Sequence, residues 1–303
     1  MIFRSKQSPP CPLARDKKLK KLLIKLGGIP LRAAGKFKFF LYPAKLKLIR
    51  ARSSRHFPEP MTPQQLSHLI LTATGVRVFP YYQHRIPSQG PVIVVSNHRS
   101  VLDPLVLMAG LQGSLRTVCH HSMGQVPLWR DLVQMLGGLP LPEPEQRSHF
   151  LLGEARELLH QGQWVCIFPE GITPMLELTS PWQVSQFQRG FAHLALRAEV
   201  PRLAVLPVAI ASLQETVTPT FPVRLLRWFA PSETQFDRPG RQPLVLYQRL
   251  NLVIGRPYWI TPRHRQHYHS KQAHDLVTQL NQHCRQEIAR LLRQHQSLAL
   301  PSD

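Results

Sequence analysis

Short apolar runs rich in Val and Ile alternate with helix-like segments through the middle of this chain of 303 residues. Strand-like patterns lie at residues 91–97, 115–120, 163–170 and 203–213, and helical patterns lie at residues 103–111, 126–137, 145–162 and 189–198. Apolar runs of strand length that alternate with helical segments are typical of α/β proteins. The alternation therefore predicts an α/β fold in which a mixed sheet is flanked by helices.

Further patterns precede and follow this region. Thr62 and Pro63 begin a predicted helix, because Thr is a favourable N-cap and proline fits the first helical turn. Residues 243–260 have a strand pattern, and residues 270–297, rich in Gln and His, are predicted to form a helix. Residues 214–242 are rich in proline, which predicts an irregular excursion between strands.

The N-terminal part of the chain has a different character. Four leucines between residues 19 and 26 recur at i, i+3, i+4 and i+7, and lysines lie on another helical face. A basic amphipathic helix suits an anionic membrane surface, although an ordinary helix docked on the domain has the same pattern. We expect a basic, amphipathic, membrane-associating extension at residues 1–58, the main domain at residues 59–265, and a C-terminal helix and tail at residues 266–303.

The charge balance is strongly basic. Lys and Arg total 38 against 17 Asp and Glu, which gives a formal net charge of +21. Such a field attracts nucleic acid, anionic membranes and acidic substrates or carriers, and it does not choose among them. The hydrophobic fraction of 43% excludes a disordered chain.

Cysteine usage and hydropathy restrict the setting of the protein. The four cysteines are scattered without a CxxC pair, which favours free thiols in a reducing compartment. The sequence has no run of about 18 apolar residues and no recognisable secretory signal. We therefore expect a soluble or peripheral protein.

One strand-like segment ends in residues suited to acid–base chemistry. Residues 93–108 read VIVVSNHRSVLDPLVL, so Asp103 follows His98 by five positions and Pro104 comes next. Asp at the N-cap with Pro at the first helical position predicts a helix start, which leaves His98 in the preceding loop. The turn would let the carboxylate reach the imidazole, fix its tautomer and leave the other ring nitrogen as a general base. The alternative is an N-cap Asp beside an incidental loop histidine.

A second strand-like segment ends in a carboxylate and a glycine. Residues 168–171 read Phe-Pro-Glu-Gly directly after a hydrophobic run. Sites in α/β sheets assemble in the loops beyond the carboxyl ends of the strands. We therefore expect this loop and the loop with His98 to face the same crevice.

Together these motifs resemble the glycerolipid acyltransferases of the 1-acylglycerol-3-phosphate acyltransferase type. NHRSVLD at residues 97–103 is similar to the NHxxxxD motif of that family, and FPEG at residues 168–171 is similar to its third motif. LPVAI at residues 206–210 resembles the fourth motif, and residues 189–195 resemble the helix between the third and fourth motifs. The resemblance covers residues 75–260, and the ordered set is far more specific than a lone H-x4-D.

The resemblance implies that the main domain moves a fatty acyl group from coenzyme A or acyl carrier protein to a lysolipid hydroxyl in phospholipid synthesis. His98 would take the proton of the hydroxyl and Asp103 would hold His98, while Glu170, Gly171 and Pro207 would shape the acceptor site. No metal and no cofactor are implied. With the basic extension, we expect a peripheral protein on the cytoplasmic face of an anionic membrane, and we expect no nucleic acid partner.

The sequence departs from the family pattern at two places. Glu143 stands about where the second motif has an arginine, and Ile172 and Thr173 follow the third motif where the family has Thr-Arg. Arginines at these places would bind the phosphate of the acceptor through charge-assisted bonds. The candidates to replace them are Arg99, Arg147 and Arg189.

These departures leave three functions open. The first is acylation of a 1-acylglycerol-3-phosphate-like acceptor, and the second is acylation of a non-phosphorylated lysolipid or alcohol. The third is a non-catalytic basic protein that binds membranes or nucleic acid.

Overall fold

The structure of the protein is a computed structural model that describes residues 61–111, 115–119, 133–142, 146–222 and 240–297. The predicted N-terminal extension and its membrane role lie outside the described residues. The helix predicted at residues 126–137 lies mostly outside them, and so does Glu143. The predicted division of the chain into three parts stays a prediction.

Eight strands in the described residues form one mixed sheet. They are β1 (Arg77–Tyr81), β2 (Val92–Ser96), β3 (Leu115–Cys119), β4 (Leu139–Pro140), β5 (Trp164–Ile167), β6 (Ala204–Pro222), β7 (Arg241–Ile254) and β8 (Tyr258–Trp259). Their order is β1-β7-β6-β2-β5-β3-β4, with β8 paired to β6. Paired strands are parallel, except that β7 and β8 run antiparallel to β6. The α/β fold with a mixed sheet and flanking helices is confirmed.

The helices come largely from the segments with helical patterns. They are α1 (Pro63–Ala73), α2 (Asp103–Leu111), α3 (Arg147–Phe150), a π-helical turn (Leu151–Ala155), α4 (Arg156–His160), α5 (Thr173–Leu176), α6 (Gly190–Arg197), α7 (Pro262–Tyr268) and α8 (Ala273–Gln296). A 3-10 turn lies at Gln83–Arg85. The helix predicted for residues 270–297 is α8.

Local sequence signals set the start of α1 as predicted. Oγ1 of Thr62 accepts the N–H of Gln65 at 3.2 Å, and the Gln65 side chain accepts the N–H of Thr62 at 2.9 Å. This reciprocal capping box satisfies two N–H groups that would otherwise lack partners at the helix start. Pro63, which has no N–H, follows at the first helical position.

The central strand β2 is covered on both faces. Ile93 and Val95 pack with α6 and α8 on one side, whereas Val92 and Val94 pack with α1 and α2 on the other. All four side chains are fully buried. Because successive residues of a strand point to opposite faces, a continuous apolar run is what a strand between two helical layers requires.

The proline-rich residues 214–242 are partly a strand, which corrects the prediction of an irregular excursion. β6 continues to Pro222, and its antiparallel partner β7 begins at Arg241. Within the described residues, 215–222 and 241–247 pair only with each other, and we call this two-stranded extension the β6–β7 arm. Proline is tolerated at the open edges of such an arm, because its missing N–H costs no bond to a third strand.

Candidate active site

Two loops meet at the carboxyl ends of neighbouring parallel strands. Val95 of β2 lies beside Ile167 of β5 in the register of the sheet. His98 therefore emerges next to the loop that begins at Phe168. The backbone N–H of His98 donates to Oε1 of Glu170 at 3.1 Å, which joins the two loops directly.

His98 and Asp103 lie within hydrogen-bond distance, as their spacing predicts. Nδ1 of His98 lies 2.8 Å from Oδ2 of Asp103. A carboxylate oxygen accepts, so Nδ1 carries the proton and Nε2 carries the lone pair. The imidazole stacks on the ring of Phe168, with centroids 4.1 Å apart, and the His98 side chain is 16% exposed. A ring held in this way can take a proton at Nε2 from a bound hydroxyl group.

Four donors hold the carboxylate of Asp103. In addition to His98, Oδ2 accepts the backbone N–H of Arg99 at 2.8 Å and that of Ser100 at 2.9 Å. Oδ1 accepts the O–H of Tyr247 at 2.8 Å. Asp103 is fully buried, so these bonds replace the water that the carboxylate gives up on folding. The carboxylate is fixed in one orientation toward His98.

The helix α2 begins at Asp103 itself, one residue earlier than an N-cap at this position predicts. The carboxylate turns back to N–H groups of the preceding loop, three and four residues earlier. The hydroxyl of Ser100 supports the same turn, because its Oγ accepts the N–H of Leu102 at 3.1 Å. The turn that starts the helix therefore also orients the carboxylate.

Glu170 connects three segments of the chain. Its Oε1 accepts the N–H of His98, and its Oε2 accepts the N–H of Ser185. Burial raises the pKa of Glu170, and the two backbone N–H bonds partly offset this effect. The carboxylate fixes the two strand-end loops to each other, and its predicted part in acceptor binding stays a prediction.

Gly171 makes the sharp turn that follows Glu170. Its N–H donates to the carbonyl of Phe168 at 3.1 Å, and its φ of +66° is left-handed. Glycine adopts this conformation without a steric penalty. A Cβ at this position would lie 3.2 Å from Nε2 of Gln188. The glycine therefore lets the chain reverse while Glu170 stays beside His98.

The guanidinium of Arg99 is hydrogen-bonded within the protein, to Glu215 and to the carbonyl of Thr179. Nη1 and Nη2 donate to the two carboxylate oxygens of Glu215 at 2.8 and 3.0 Å. Nε and Nη2 also donate to the carbonyl of Thr179. Arg99 is 5% exposed, so contact with an acceptor phosphate would require an exchange of partners. That contact stays a prediction.

Among the described side chains, no hydrogen bond or ion pair joins Pro207 or Arg189 to His98. Pro207 is buried in β6 beside Val95 of β2. Arg189 is exposed and directly precedes α6. Arg147 begins α3, and the position of its side chain is outside what the structure describes.

Several residues of the site were missed by sequence reasoning. Ser185 contacts Glu170. Glu215 contacts Arg99, and Tyr247 contacts Asp103. Each contact joins residues far apart in sequence, so no local spacing indicated it. The signal that was available is a polar residue inside or beside an apolar strand pattern, as at Tyr247.

Asn97 is a further residue that sequence reasoning gave no role. Its Nδ2 donates to the carbonyl of Ile210 at 3.0 Å, and its Oδ1 accepts the N–H of Ile210 at 2.8 Å. The side chain thus extends the pairing of β2 with β6 past the end of β2. It anchors the backbone directly before His98.

The described cysteines are free thiols, in keeping with their scattered spacing. Burial raises the pKa of Cys119 to about 12, and it also raises the pKa of Cys166 and of Cys284. Such thiols stay protonated and are poor nucleophiles. Within the described ranges, no group of three or more His, Cys, Asp or Glu is placed to hold a metal ion. None of the described helices has the length and apolar character needed to cross a membrane.

The part of the chain that holds this site matches a known protein family. The acyltransferase family matches residues 77–211. The matched span contains β2, α2 and β5, and with them His98, Asp103 and Glu170. The strand β7, which carries Tyr247, lies outside it.

The chain spans about half of the length of the individual relatives that it matches. The chain is 29% identical over 173 residues to 1-acyl-sn-glycerol-3-phosphate acyltransferase alpha of Mus musculus, which covers 55% of this chain and 52% of that protein. It is 31% identical over 147 residues to the Homo sapiens protein of the same name, which covers 46% and 48%. A crystal structure of the 1-acyl-sn-glycerophosphate acyltransferase from Thermotoga maritima covers 80% of each chain, with a TM-score of 0.49 and 16% identity.

Proposed function

We propose that this chain, whose residues 77–211 match the acyltransferase family, transfers a fatty acyl group from an acyl thioester to a hydroxyl group of a glycerolipid. The observation that carries the proposal is the 2.8 Å contact between Nδ1 of His98 and Asp103. It leaves Nε2 as the basic atom of the pair. The partly exposed ring lies at the carboxyl ends of the strands, where an acceptor can approach.

The reaction consists of a proton transfer coupled to attack on the thioester. Nε2 of His98 takes the proton of the acceptor hydroxyl as the hydroxyl oxygen attacks the thioester carbonyl carbon. The carboxylate of Asp103 stabilises the imidazolium that forms. The tetrahedral intermediate then expels the thiolate, which takes the proton back from Nε2. An ester and a free thiol leave, and the base is restored.

A 1-acylglycerol-3-phosphate-like acceptor is the first choice. The mouse and human relatives are named for this acceptor. The two motifs that contain His98 and Glu170 are those that resemble this type of enzyme. A phosphate on the acceptor requires cationic partners, and we propose Arg189 and Arg147 for this part because Arg99 is paired with Glu215.

A non-phosphorylated lysolipid or alcohol is the second candidate, and the ion pair between Arg99 and Glu215 favours it. The cation nearest to His98 in sequence is neutralised by a carboxylate within the protein. Thr173 stands where the family has the arginine of its third motif. An uncharged acceptor would need neither of these cations.

We propose coenzyme A or acyl carrier protein as the carrier of the acyl donor. Both carriers are acidic, and the net charge of +21 would attract either. The same charge suits binding to the cytoplasmic face of an anionic membrane, with residues 1–58 as the peripheral anchor. Deleting residues 1–58 should weaken binding to anionic vesicles at physiological salt. Undiminished binding of the truncated protein would reject the anchor.

The acceptor is tested by a competition between matched lipids. Purified protein receives radiolabelled acyl-CoA or acyl carrier protein with lysophosphatidate, an uncharged monoacylglycerol of the same chain length, or a simple alcohol. Transfer to lysophosphatidate supports the first choice, and the Arg189→Gln variant should then raise KM for lysophosphatidate alone. Transfer only to the uncharged acceptors supports the second. No transfer that depends on His98 would favour a non-catalytic binding protein.

A further inference from the structure

Three contacts dock the β6–β7 arm on the loop that carries His98 and Asp103. The hydroxyl of Ser100 donates to the carbonyl of Val245 at 2.7 Å. The carboxylate of Glu215 accepts hydrogen bonds from both terminal nitrogens of Arg99. The O–H of Tyr247 donates to Asp103. The whole arm lies beyond residues 77–211, the span matched by the acyltransferase family. The arm therefore adds contacts to the site that the matched span does not contain.

The register of the arm explains why the side chains of Glu215 and Tyr247 contact the same segment, residues 99–103. Glu215 and Tyr247 are directly opposite each other in the antiparallel pairing, so their side chains lie on one face of the arm. Val245 lies two residues before Tyr247 and shares this face. Val245 and Tyr247 are buried, which shows that this face is packed against the domain.

Tyr247 is the sole described donor to the second oxygen of Asp103. Oδ2 accepts from His98 and from two backbone N–H groups, whereas Oδ1 accepts from Tyr247 at 2.8 Å. Burial and the charge of Asp103 raise the pKa of Tyr247 well above its ordinary value. The phenol therefore stays protonated, and beside a carboxylate it acts as a donor.

We propose that Tyr247 is a positioning residue of the active site, which holds the Asp103 carboxylate in line with Nδ1 of His98 during proton transfer. This inference rests on the proposed function of His98 as the base. Without the phenol O–H, Oδ1 of Asp103 is buried without a hydrogen-bond donor. The carboxylate can then rotate toward a different donor. Such rotation lengthens the contact with Nδ1 and weakens the stabilisation of the imidazolium.

The variant Tyr247→Phe tests the proposal because it removes the hydroxyl and keeps the ring. The matched control is Tyr268→Phe, since Tyr268 is also buried and its hydroxyl lies 2.9 Å from Nδ1 of His193. Neither His193 nor Tyr268 belongs to the site. We expect kcat of Tyr247→Phe to fall about 10-fold or more, the scale of a hydrogen bond to a charged group, with KM within about 2-fold. Tyr268→Phe should retain the wild-type kcat.

A spectroscopic measurement separates this proposal from the proposed function, because it requires no turnover. The proton on Nδ1 of a histidine bonded to a carboxylate gives a downfield NMR signal, assigned here by its loss in His98→Ala. We expect this signal to shift or broaden in Tyr247→Phe and to stay unchanged in Tyr268→Phe.

The outcomes are distinguishable. An unchanged signal in Tyr247→Phe overturns the positioning role, and so does a wild-type kcat in an active enzyme. A changed signal in a protein that transfers no acyl group rejects the proposed function while it supports the role of Tyr247 toward the His98–Asp103 pair.

Discussion

Asn97 shows how a single side chain can fix the backbone beside a candidate active site. Its amide pairs with both the N–H and the carbonyl of Ile210, as a backbone peptide would. It is buried, so neither group of Ile210 can turn to water when the amide is removed. The pairing of β2 with β6 thus continues to the residue before His98.

The Asn97→Ala variant should lose about 1–3 kcal/mol of unfolding free energy, the cost of leaving buried polar groups without partners. Urea denaturation followed by circular dichroism measures this loss. The matched control is Gln248→Ala, whose exposed side chain bonds Thr216 at the surface and should contribute less than about 0.5 kcal/mol. Equal losses for the two variants would show that the bonds between Asn97 and Ile210 do not stabilise the fold.

The residues of the site divide by how far apart their partners are in sequence. His98 and Asp103 were predictable, because a strand end, a five-residue interval and a proline-marked helix start all lie within one short segment. Asp103 and Tyr247 are 144 residues apart, and their contact depends on which strand lies beside which. A single sequence supplies the character of each strand but not the order of strands in the sheet, so Tyr247 and Glu215 were missed.

The helix α2 links the core to the site, because it begins at Asp103 and packs on the sheet along its length. Gly110, near its end, approaches Leu252 of β7 so closely that a Cβ would lie 2.1 Å from a methyl carbon of Leu252. The glycine therefore sets the distance between helix and sheet. The same distance governs where Asp103 lies relative to His98.

We expect Gly110→Ala to destabilise the protein by about 1–3 kcal/mol, because the added methyl forces the helix or Leu252 to move. The control is Gly153→Ala, where a Cβ meets nothing within 4 Å and the helical backbone favours alanine by up to about 1 kcal/mol. Thermal unfolding of both variants measures the difference. A Gly110→Ala protein as stable as Gly153→Ala would show that α2 is not packed this tightly.

At the scale of helices and strands, the sequence predicts the buried strands better than it predicts the strands with open edges. The apolar runs of β2 and β5 were recognised because short β-branched segments bounded by polar residues have few other interpretations. The prediction of an irregular segment at residues 214–242 is wrong for the β6–β7 arm, because proline breaks most strands but is found here in paired ones. Two paired strands with open edges tolerate proline, and only the tertiary arrangement shows that an edge is open.

At the scale of the molecule, the described residues form a sheet with a helical layer packed on each face. His295, near the end of α8, lies at the edge of this arrangement and is buried. Nδ2 of Asn251 lies 3.0 Å from Nδ1 of His295, and the ring of Tyr81 meets the imidazole edge to face at 4.8 Å. Burial lowers the pKa of His295 from its ordinary value of 6.5.

This burial predicts a sensitivity to acid. Below about pH 6.5 the unfolded chain binds a proton at His295 that the folded protein resists, so the free energy of unfolding falls as the pH falls. The His295→Gln variant keeps an acceptor for Asn251 and has no group that titrates. Denaturant unfolding from about pH 7 to about pH 5.5 should therefore show a shallower loss in the variant. Identical slopes would mean that His295 does not contribute.

The most direct test of the central claim is acyl transfer by purified wild-type protein compared with His98→Ala, with His160→Ala as a matched control at an exposed position of α4. Each variant is first shown to fold by circular dichroism and to bind anionic vesicles. We predict that wild type and His160→Ala transfer radiolabelled acyl chains to a lysolipid and that His98→Ala loses the transfer, by at least about 100-fold. Transfer by folded His98→Ala at the wild-type rate would contradict the assignment of His98 as the base.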